Sequence, residues 1–218
     1  MNSGSDRGKL KGTNVKTPSG NSMTEHPALS AQKPVVLFVY GTRPEAIKVA
    51  PLIAEMSQRD SVEVRVAVTG QHREMLDQVH EVFGITPDVD LDLAKPGQTL
   101  TDITNAVLAG LPAAFDEYKP SAVVVHGDTT TTFAAALAAF YARIPVVHLE
   151  AGLRTGDMDS PFPEEGNRAL TGRLAALHLS PTQSNRENLL AEGIDPALVT
   201  VTGNTGIDAL LHMTERTE

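Results

Sequence analysis

Six short apolar runs alternate with longer segments of helical periodicity from Pro34 onward, and this alternation is what most constrains the fold. The runs are rich in Val and Leu and almost continuously apolar, which is typical of parallel strands covered on both faces. They span residues 35–40, 62–68, 122–126, 145–149, 177–180 and 199–201. Strand–helix alternation favours right-handed crossovers, so we predict an α/β fold with a doubly wound, mostly parallel Rossmann-like sheet.

The segments between the runs predict helices with marked ends. Thr42 and Glu45 have capping-box spacing around a first-turn proline, and Thr182 precedes another helix start. Pro51 predicts a kink or a break in the first helix. The third helix has one apolar face, made by Leu100, Ile103, Val107, Leu111, Ala114 and Phe115. The predicted helices span residues 44–59, 74–83, 99–118, 129–143, 164–174 and 183–192.

Composition limits the class of protein. Residues 1–33 are polar and small, so we predict a disordered tail there, a domain over residues 34–203, and a connecting segment over residues 204–218. The net charge of −9 argues against a nucleic-acid partner. No apolar run is long enough to cross a membrane, the N-terminus does not read as a secretory signal, and the chain has no cysteine. We therefore expect a cytoplasmic protein.

Polar, glycine-containing loops follow several of the predicted strands. Because ligands bind at the carboxyl ends of strands in open α/β sheets, these loops predict one functional edge. Gly41 and Gly127 either permit tight turns or let a ligand approach the backbone. Arg43 and Lys48 lie at a helix N-terminus, where cations oppose the helix dipole, so they and the backbone N–H groups are predicted to share an anion. The loops begin at residues 41, 69, 126 and 150.

Acidic and imidazole side chains concentrate in the later loops. Asp128 either caps the helix near residue 129 or serves the site, and the threonines at 129–132 can bond backbone or ligand. His126 and His148 are interpreted as buried supporting residues, because no spacing indicates a metal site. Crowding of Glu150 with the acids at 164 and 165 costs stability, which favours a chemical role. Glu164 follows a stiff proline-rich entry and is a candidate, whereas Glu165 is interpreted as a helix-start acid.

Common nucleotide and acyl-transfer motifs are missing from the sequence. No G-x-G-x-x-G follows the first strand, and there is no G-x-x-x-x-G-K-[ST]. No G-x-S-x-G serine is present either, so acyl transfer is unsupported. With no Trp and few aromatic residues, a base-stacking platform is also unsupported.

Six co-linear motifs over about residues 35–213 resemble the non-hydrolysing UDP-N-acetylglucosamine 2-epimerases. They are Val39-Tyr-Gly-Thr-Arg-Pro-Glu-Ala-Ile-Lys48, Gln71-His-Arg-Glu-Met-Leu-Asp-Gln78, His126-Gly-Asp-Thr-Thr-Thr-Thr132, His148-Leu-Glu-Ala-Gly-Leu-Arg154, Pro163-Glu-Glu-Gly-Asn-Arg168 and Thr202-Gly-Asn-Thr205. The resemblance implies the N-terminal domain of a GT-B-like two-domain architecture, with the second domain absent from this chain. It also implies a homodimer that interconverts UDP-GlcNAc and UDP-ManNAc without an added cofactor.

The resemblance also implies roles for particular residues. Asp128, Glu150 and Glu164 match catalytic positions, and Arg43 and Lys48 match substrate-binding positions together with Asp128 and Glu150. The residues at 71 and 74 match a region that binds a second, activating UDP-GlcNAc in regulated members. Some of those members carry Gln where this chain has a glutamate at 74, so the allosteric contact is in question.

The family reaction is an anti elimination of UDP followed by its syn readdition. We expect the chain to be incomplete for this reaction, because the family's second domain supplies most nucleotide contacts. A complementing C-terminal domain is therefore an expected partner, and apolar residues of the helix near 206–213 are expected to be exposed. The alternatives are a non-catalytic fragment that binds a sugar nucleotide or docks onto a subunit, and, less favoured, a hydrolysing epimerase.

Overall fold

A computed structural model describes residues 33–70, 73–95 and 97–215 of the protein. The predicted disordered tail lies outside the described residues except for Lys33. The strands are β1 (Val35–Tyr40), β2 (Glu63–Val68), β3 (Val89–Asp90), β4 (Ala122–His126), β5 (Val146–Leu149), β6 (Leu177–Ser180) and β7 (Val199–Val201). The helices are α1 (Arg43–Ser57), α2 (Arg73–Phe83), α3 (Leu100–Tyr118), α4 (Thr130–Tyr141), α5 (Glu164–Leu174), α6 (Gln183–Ala191) and α7 (Thr205–Glu215).

The described strands form one parallel sheet in the order β3-β2-β1-β4-β5-β6-β7. The prediction of a doubly wound Rossmann-like sheet is therefore confirmed. Strands β1 and β4 are neighbours although they are not consecutive in the chain, so the strand order reverses between them. Loops that leave two such strands diverge and open a crevice at the carboxyl edge of the sheet. The candidate residues on the loops after β1 and β4 lie at this point.

Two apolar cores cover the faces of the sheet. Alternate residues of a strand point to opposite faces, so Leu37 and Val39 enter one core while Phe38 and Tyr40 enter the other. The first core is closed by α3 and the alanine-rich α4, and the second by α1 and α2. Each fully buried Leu or Val contributes about 1.5–3 kcal/mol. The two cores therefore fix the carboxyl edge of the sheet from both sides.

Three details differ from the sequence predictions. Strand β3 was not predicted, because its two residues are too few to show a periodicity. The break considered at Pro51 is absent: α1 is continuous, since buried residues on both sides of the proline, Val49 and Ile53 among them, hold it against the core. Leu100 was assigned to the apolar face of α3 but is 41% exposed, because it lies in the first turn of the helix.

Helix α7 packs against α1 and leaves an apolar face exposed. Ala209 is buried, whereas Ile207, Leu210 and Leu211 are more than half exposed, as predicted. Over the described ranges, none of the helices is long and apolar enough to cross a membrane.

Candidate functional site

The loop after β1 is organised by the buried carboxylate of Glu45. Its Oε2 accepts hydrogen bonds from the backbone N–H groups of Gly41 and Thr42, at 3.0 and 2.8 Å. A protein carboxylate therefore occupies the two N–H groups that precede the first turn of α1. The anion expected between Arg43, Lys48 and the N–H groups of the helix stays a prediction.

The same carboxylate also binds the loop after β4. Thr129 donates its hydroxyl to Oε1 of Glu45 at 2.7 Å, and the hydroxyl of Thr132 shares its one proton between that oxygen, at 3.0 Å, and the carbonyl oxygen of His126, at 2.5 Å. Thr131 is fully buried and its hydroxyl lies 3.1 Å from that of Thr69. The threonines therefore bind other protein groups and join the two loops at the strand-order reversal.

Gly41 is required by this close approach. A Cβ at Gly41 would lie 2.1 Å from Oγ1 of Thr69 and 2.7 Å from Oγ1 of Thr131. Any side chain here would therefore displace the loop. The close approach that requires a glycine at position 41 is therefore to neighbouring protein side chains.

Glu150 follows β5 and lies between two basic side chains. Lys48 Nζ donates to both carboxylate oxygens, at 2.8 and 2.5 Å, and His126 Nε2 lies 2.9 Å from Oε2 without hydrogen-bond geometry. Burial raises the pKa of Glu150, but the His126 ring and the Lys48 ammonium outweigh it and lower the pKa to about 2. Glu150 is therefore ionised at neutral pH, and it balances much of the charge of Lys48.

The backbone of Glu150 is in the left-handed region, with φ of 62°. A residue with a Cβ adopts this conformation at a cost of about 1–3 kcal/mol, and such residues concentrate at functional sites. The turn aims the carboxylate back toward α1 and β4, where Lys48 and His126 lie. The local backbone is thus shaped to hold this side chain.

Asp128 is held by two residues of α5. Its carboxylate lies 2.9 Å from an Nη atom of Arg168, and its carbonyl accepts a 2.9 Å hydrogen bond from Nδ2 of Asn167. Burial raises the pKa of Asp128, Arg168 opposes this, and the charges of Glu164 and Glu150 raise it further. The net shift is upward, so Asp128 takes up a proton more readily than an exposed aspartate does.

The two glutamates at the start of α5 have different surroundings. Glu164 is half-buried, and its charge acts on Asp128. Glu165 is almost fully buried and accepts hydrogen bonds from the backbone N–H groups of Thr155 and Gly156, both at 3.1 Å. Glu165 thus holds the preceding loop in place, and the interpretation of it as a simple helix-start acid is incomplete.

Arg43 and Lys48 share a cavity of about 700 Å³ at the N-terminal end of α1, which Met75 and Gly206 also line. Arg43 is exposed, in contrast to the paired Lys48. Glu74 is exposed on α2, and Gln71 lies outside the described residues. The allosteric expectation for these two residues therefore stays a prediction.

His126 and His148 are buried, in agreement with their interpretation as supporting residues. His148 Nε2 lies 2.7 Å from the carbonyl oxygen of Gly127. Burial lowers the pKa of His148 to about 3, so its ring is neutral. Within residues 33–70, 73–95 and 97–215, no three His, Asp or Glu side chains converge as metal ligands would.

Sequence reasoning assigned no role to three residues that the structure brings into the site. Glu45 was interpreted only as a local cap, and Asn167 and Arg168 only as part of a motif. The Asn-Arg pair one turn after two glutamates was the available signal, since an arginine near several acids is a common partner for one of them. Contacts of Glu45 with threonines more than 80 residues away had no signal in the sequence.

Comparisons with known proteins agree with this geometry. A family model for UDP-N-acetylglucosamine 2-epimerase matches residues 54–218. The curated UDP-N-acetylglucosamine 2-epimerases of Yersinia pestis and Escherichia coli are 59% and 58% identical over 181 residues, which is 83% of this chain and 48% of each relative. The crystal structure of UDP-GlcNAc 2-epimerase from Neisseria meningitidis bound to UDP-GlcNAc superposes with a TM-score of 0.81 at 53% identity, over 84% of this chain and 50% of that one.

The chain thus spans about half the length of the curated relatives that it matches. The fold agrees with these matches. The chain belongs to the UDP-N-acetylglucosamine 2-epimerase family.

Proposed function

We propose that this chain forms the sugar-facing part of a site that interconverts UDP-GlcNAc and UDP-ManNAc. The observation that carries the proposal is Glu150, held in a left-handed backbone between Lys48 and His126 and acting electrostatically on Asp128. Ionised and protonatable carboxylates on adjacent loops suit a reaction that moves a proton while positive charge develops on a sugar ring.

The proposed reaction inverts C2 through an elimination. No carbonyl acidifies the C2 proton, so direct removal to a carbanion is too costly. Instead a carboxylate takes the proton from C2, the C2–H electron pair forms the C1=C2 double bond, and the C1–O pair leaves with UDP. The product is 2-acetamidoglucal. A proton then adds to the other face of C2 while an oxygen of UDP re-forms the bond to C1.

The surroundings of the three acids suggest distinct tasks. The lowered pKa of Glu150 suits a permanent negative charge that stabilises oxocarbenium character as the C1–O bond breaks. The raised pKa of Asp128 makes it a better proton acceptor than an exposed aspartate, which suits a group that accepts and returns a proton. Glu164 lies in the first turn of α5, and its charge raises the pKa of Asp128. We assign it as the second proton-transferring group.

The cations have unequal tasks in this proposal. Lys48 is paired with Glu150 and sets the electrostatics of that carboxylate. Arg43 is exposed beside it and is assigned to the leaving diphosphate. Most nucleotide contacts are assigned to polypeptide that corresponds to the rest of the relatives' length, and the assembled enzyme is assigned as a homodimer.

The test is an epimerisation assay in deuterium oxide, with UDP-GlcNAc as substrate and proton NMR as the readout. The chain is assayed alone and with a separately produced polypeptide corresponding to the remaining half of the Escherichia coli relative. We expect UDP-ManNAc carrying deuterium at C2 only in the complemented mixture. Turnover by the chain alone would contradict the assignment of nucleotide contacts to the other half.

Three variants test the assigned acids in the complemented mixture. Asp128→Asn, Glu150→Gln and Glu164→Gln are each expected to lower kcat by about 10²–10⁴-fold, the usual contribution of a proton-transferring or charge-stabilising group. Asp116→Asn, which changes an exposed acid on α3, is the matched control and should leave turnover unchanged. If the mixture binds UDP-GlcNAc but never turns it over, the chain is a non-catalytic binding fragment.

A further inference from the structure

Among the described residues, the imidazole of His148 makes one polar contact, and it is to the loop that carries Asp128. The residue is 1% exposed, and its Nε2 lies 2.7 Å from the carbonyl oxygen of Gly127. A carbonyl oxygen only accepts hydrogen bonds, so Nε2 must carry the proton. Nδ1 has no hydrogen-bond partner among the described residues, which is consistent with a single, neutral tautomer.

Hydrogen bonds from outside the loop hold the backbone of Gly127 and Asp128. The N–H of Gly127 donates to the carbonyl of Leu149 at 2.9 Å, and the carbonyl of Gly127 accepts from His148. The carbonyl of Asp128 accepts from Asn167. Three groups from β5 and α5 thus hold two consecutive residues of the loop after β4.

The backbone at Gly127 needs such support. Its φ is +67°, and no atom lies within 4 Å of the position a Cβ would take, so the glycine is there for its conformation and not for lack of room. Glycine is also the residue that loses most conformational freedom on folding. Without external bonds, the residue before Asp128 would be the most freely rotating point of the loop.

We propose that His148 is a positioning residue for Asp128, acting through the carbonyl of Gly127 together with Asn167. The inference rests on the proposed function in one respect, the task of Asp128 as a proton carrier. Holding a proton-transferring carboxylate in place matters because misplacement of about 1 Å can cost on the order of 10²-fold in rate. A neutral imidazole suits this task because it adds a donor without adding a positive charge near Arg154.

His178 provides a matched control within the same sheet. It is the register partner of His148 on β6 and is also fully buried, but neither of its ring nitrogens has a hydrogen-bond partner among the described residues. Replacing either histidine removes a buried imidazole from neighbouring strands. Only the replacement of His148 removes the bond to Gly127.

Amide hydrogen exchange of the isolated chain tests the loop assignment without any catalysis. His148→Leu is expected to raise the exchange rate of the Gly127 amide by about tenfold more than that of the Phe38 and Val39 amides in β1, as expected for loss of one hydrogen bond. His148→Gln retains a donor near the Nε2 position and should restore most of the protection. His178→Leu should change the loop and strand amides in equal proportion.

Turnover in the complemented epimerisation assay tests the link to Asp128. His148→Leu should lower kcat by about tenfold or more with little change in KM, and His148→Gln should recover much of the loss. Equal exchange behaviour of His148→Leu and His178→Leu would overturn the proposal, as would a loosened loop with unchanged kcat. If the unmodified mixture has no epimerase activity, the proposed function fails, and the exchange comparison alone decides whether His148 fixes the loop.

Discussion

Glu150 combines an unfavourable backbone conformation with two strong electrostatic partners. The left-handed turn costs free energy, whereas Lys48 and His126 favour the ionised carboxylate. A site that needed only stability would use glycine at this turn and leave Lys48 exposed. The arrangement is explained if a negative charge is needed at this point when substrate is bound.

The pH dependence of stability tests the charge state of Glu150. Its pKa falls from 4.5 to about 2 on folding, so this stabilisation is fully present above about pH 4.5 and is lost as the pH falls toward 2. At about 1.4 kcal/mol per unit, the contribution is about 3 kcal/mol. We expect urea unfolding to show a loss of stability between pH 6 and pH 3 that is about 2 kcal/mol larger for the wild type than for Glu150→Gln, because the remainder is lost only below pH 3.

The exposed acid Glu74 supplies the control for this measurement. Glu74→Gln should lose as much stability between pH 6 and pH 3 as the wild type. Equal losses in the wild type and Glu150→Gln would contradict the strong coupling of Glu150 to Lys48 and His126.

At the scale of elements, one side chain joins the N-termini of two helices. The sequence predicted Glu45 as the acid of a capping box, and it does accept the N–H of Thr42. Its further contacts to Thr129 and Thr132 depend on β1 and β4 becoming neighbours, which no local pattern encodes. Local capping could therefore be predicted, but the connection between α1 and α4 could not.

Replacing Glu45 tests this connection. In Glu45→Leu no acceptor remains for the N–H groups of Gly41 and Thr42, and the hydroxyls of Thr129 and Thr132 lose the oxygen that they share. At about 1–3 kcal/mol for each unpaired buried group, we expect a loss of about 2–4 kcal/mol in the free energy of unfolding. Urea denaturation at pH 7 measures it.

The capping box of α3 provides a control with local partners only. Asp102 accepts from the backbone and hydroxyl of Thr99 and is exposed. Asp102→Leu should therefore cost clearly less than Glu45→Leu. Equal effects would mean that Glu45 acts as a local cap and that its bonds to the threonines contribute little.

For the whole molecule, the sheet was predictable because each strand carries its own signal. Continuous Val and Leu runs such as Val35–Tyr40 already indicate burial on both faces, and that burial is observed toward both cores. The partners of buried polar residues were not predictable in the same way. His148 and His178 lie 30 residues apart in the chain but side by side in the sheet, and only the strand register brings them together.

Those two histidines predict how the whole fold responds to mild acid. Burial lowers the pKa of both, to about 3 for His148, and the nearby guanidinium of Arg154 lowers both further, while Glu192 partly opposes the shift of His178. The unfolded chain therefore binds protons that the folded chain does not bind. The stabilisation from the two neutral histidines is fully present above about pH 6.5 and is lost as the pH falls.

A buried histidine that stays neutral in the folded protein contributes a slope of about 1.4 kcal/mol per pH unit well below pH 6.5. We expect urea unfolding between pH 6.5 and pH 5 to show a shallower dependence of stability on pH in His178→Leu than in the wild type, whatever that variant loses at pH 7. An unchanged slope would mean that His178 is protonated in the folded protein and that the strands around it are open to water.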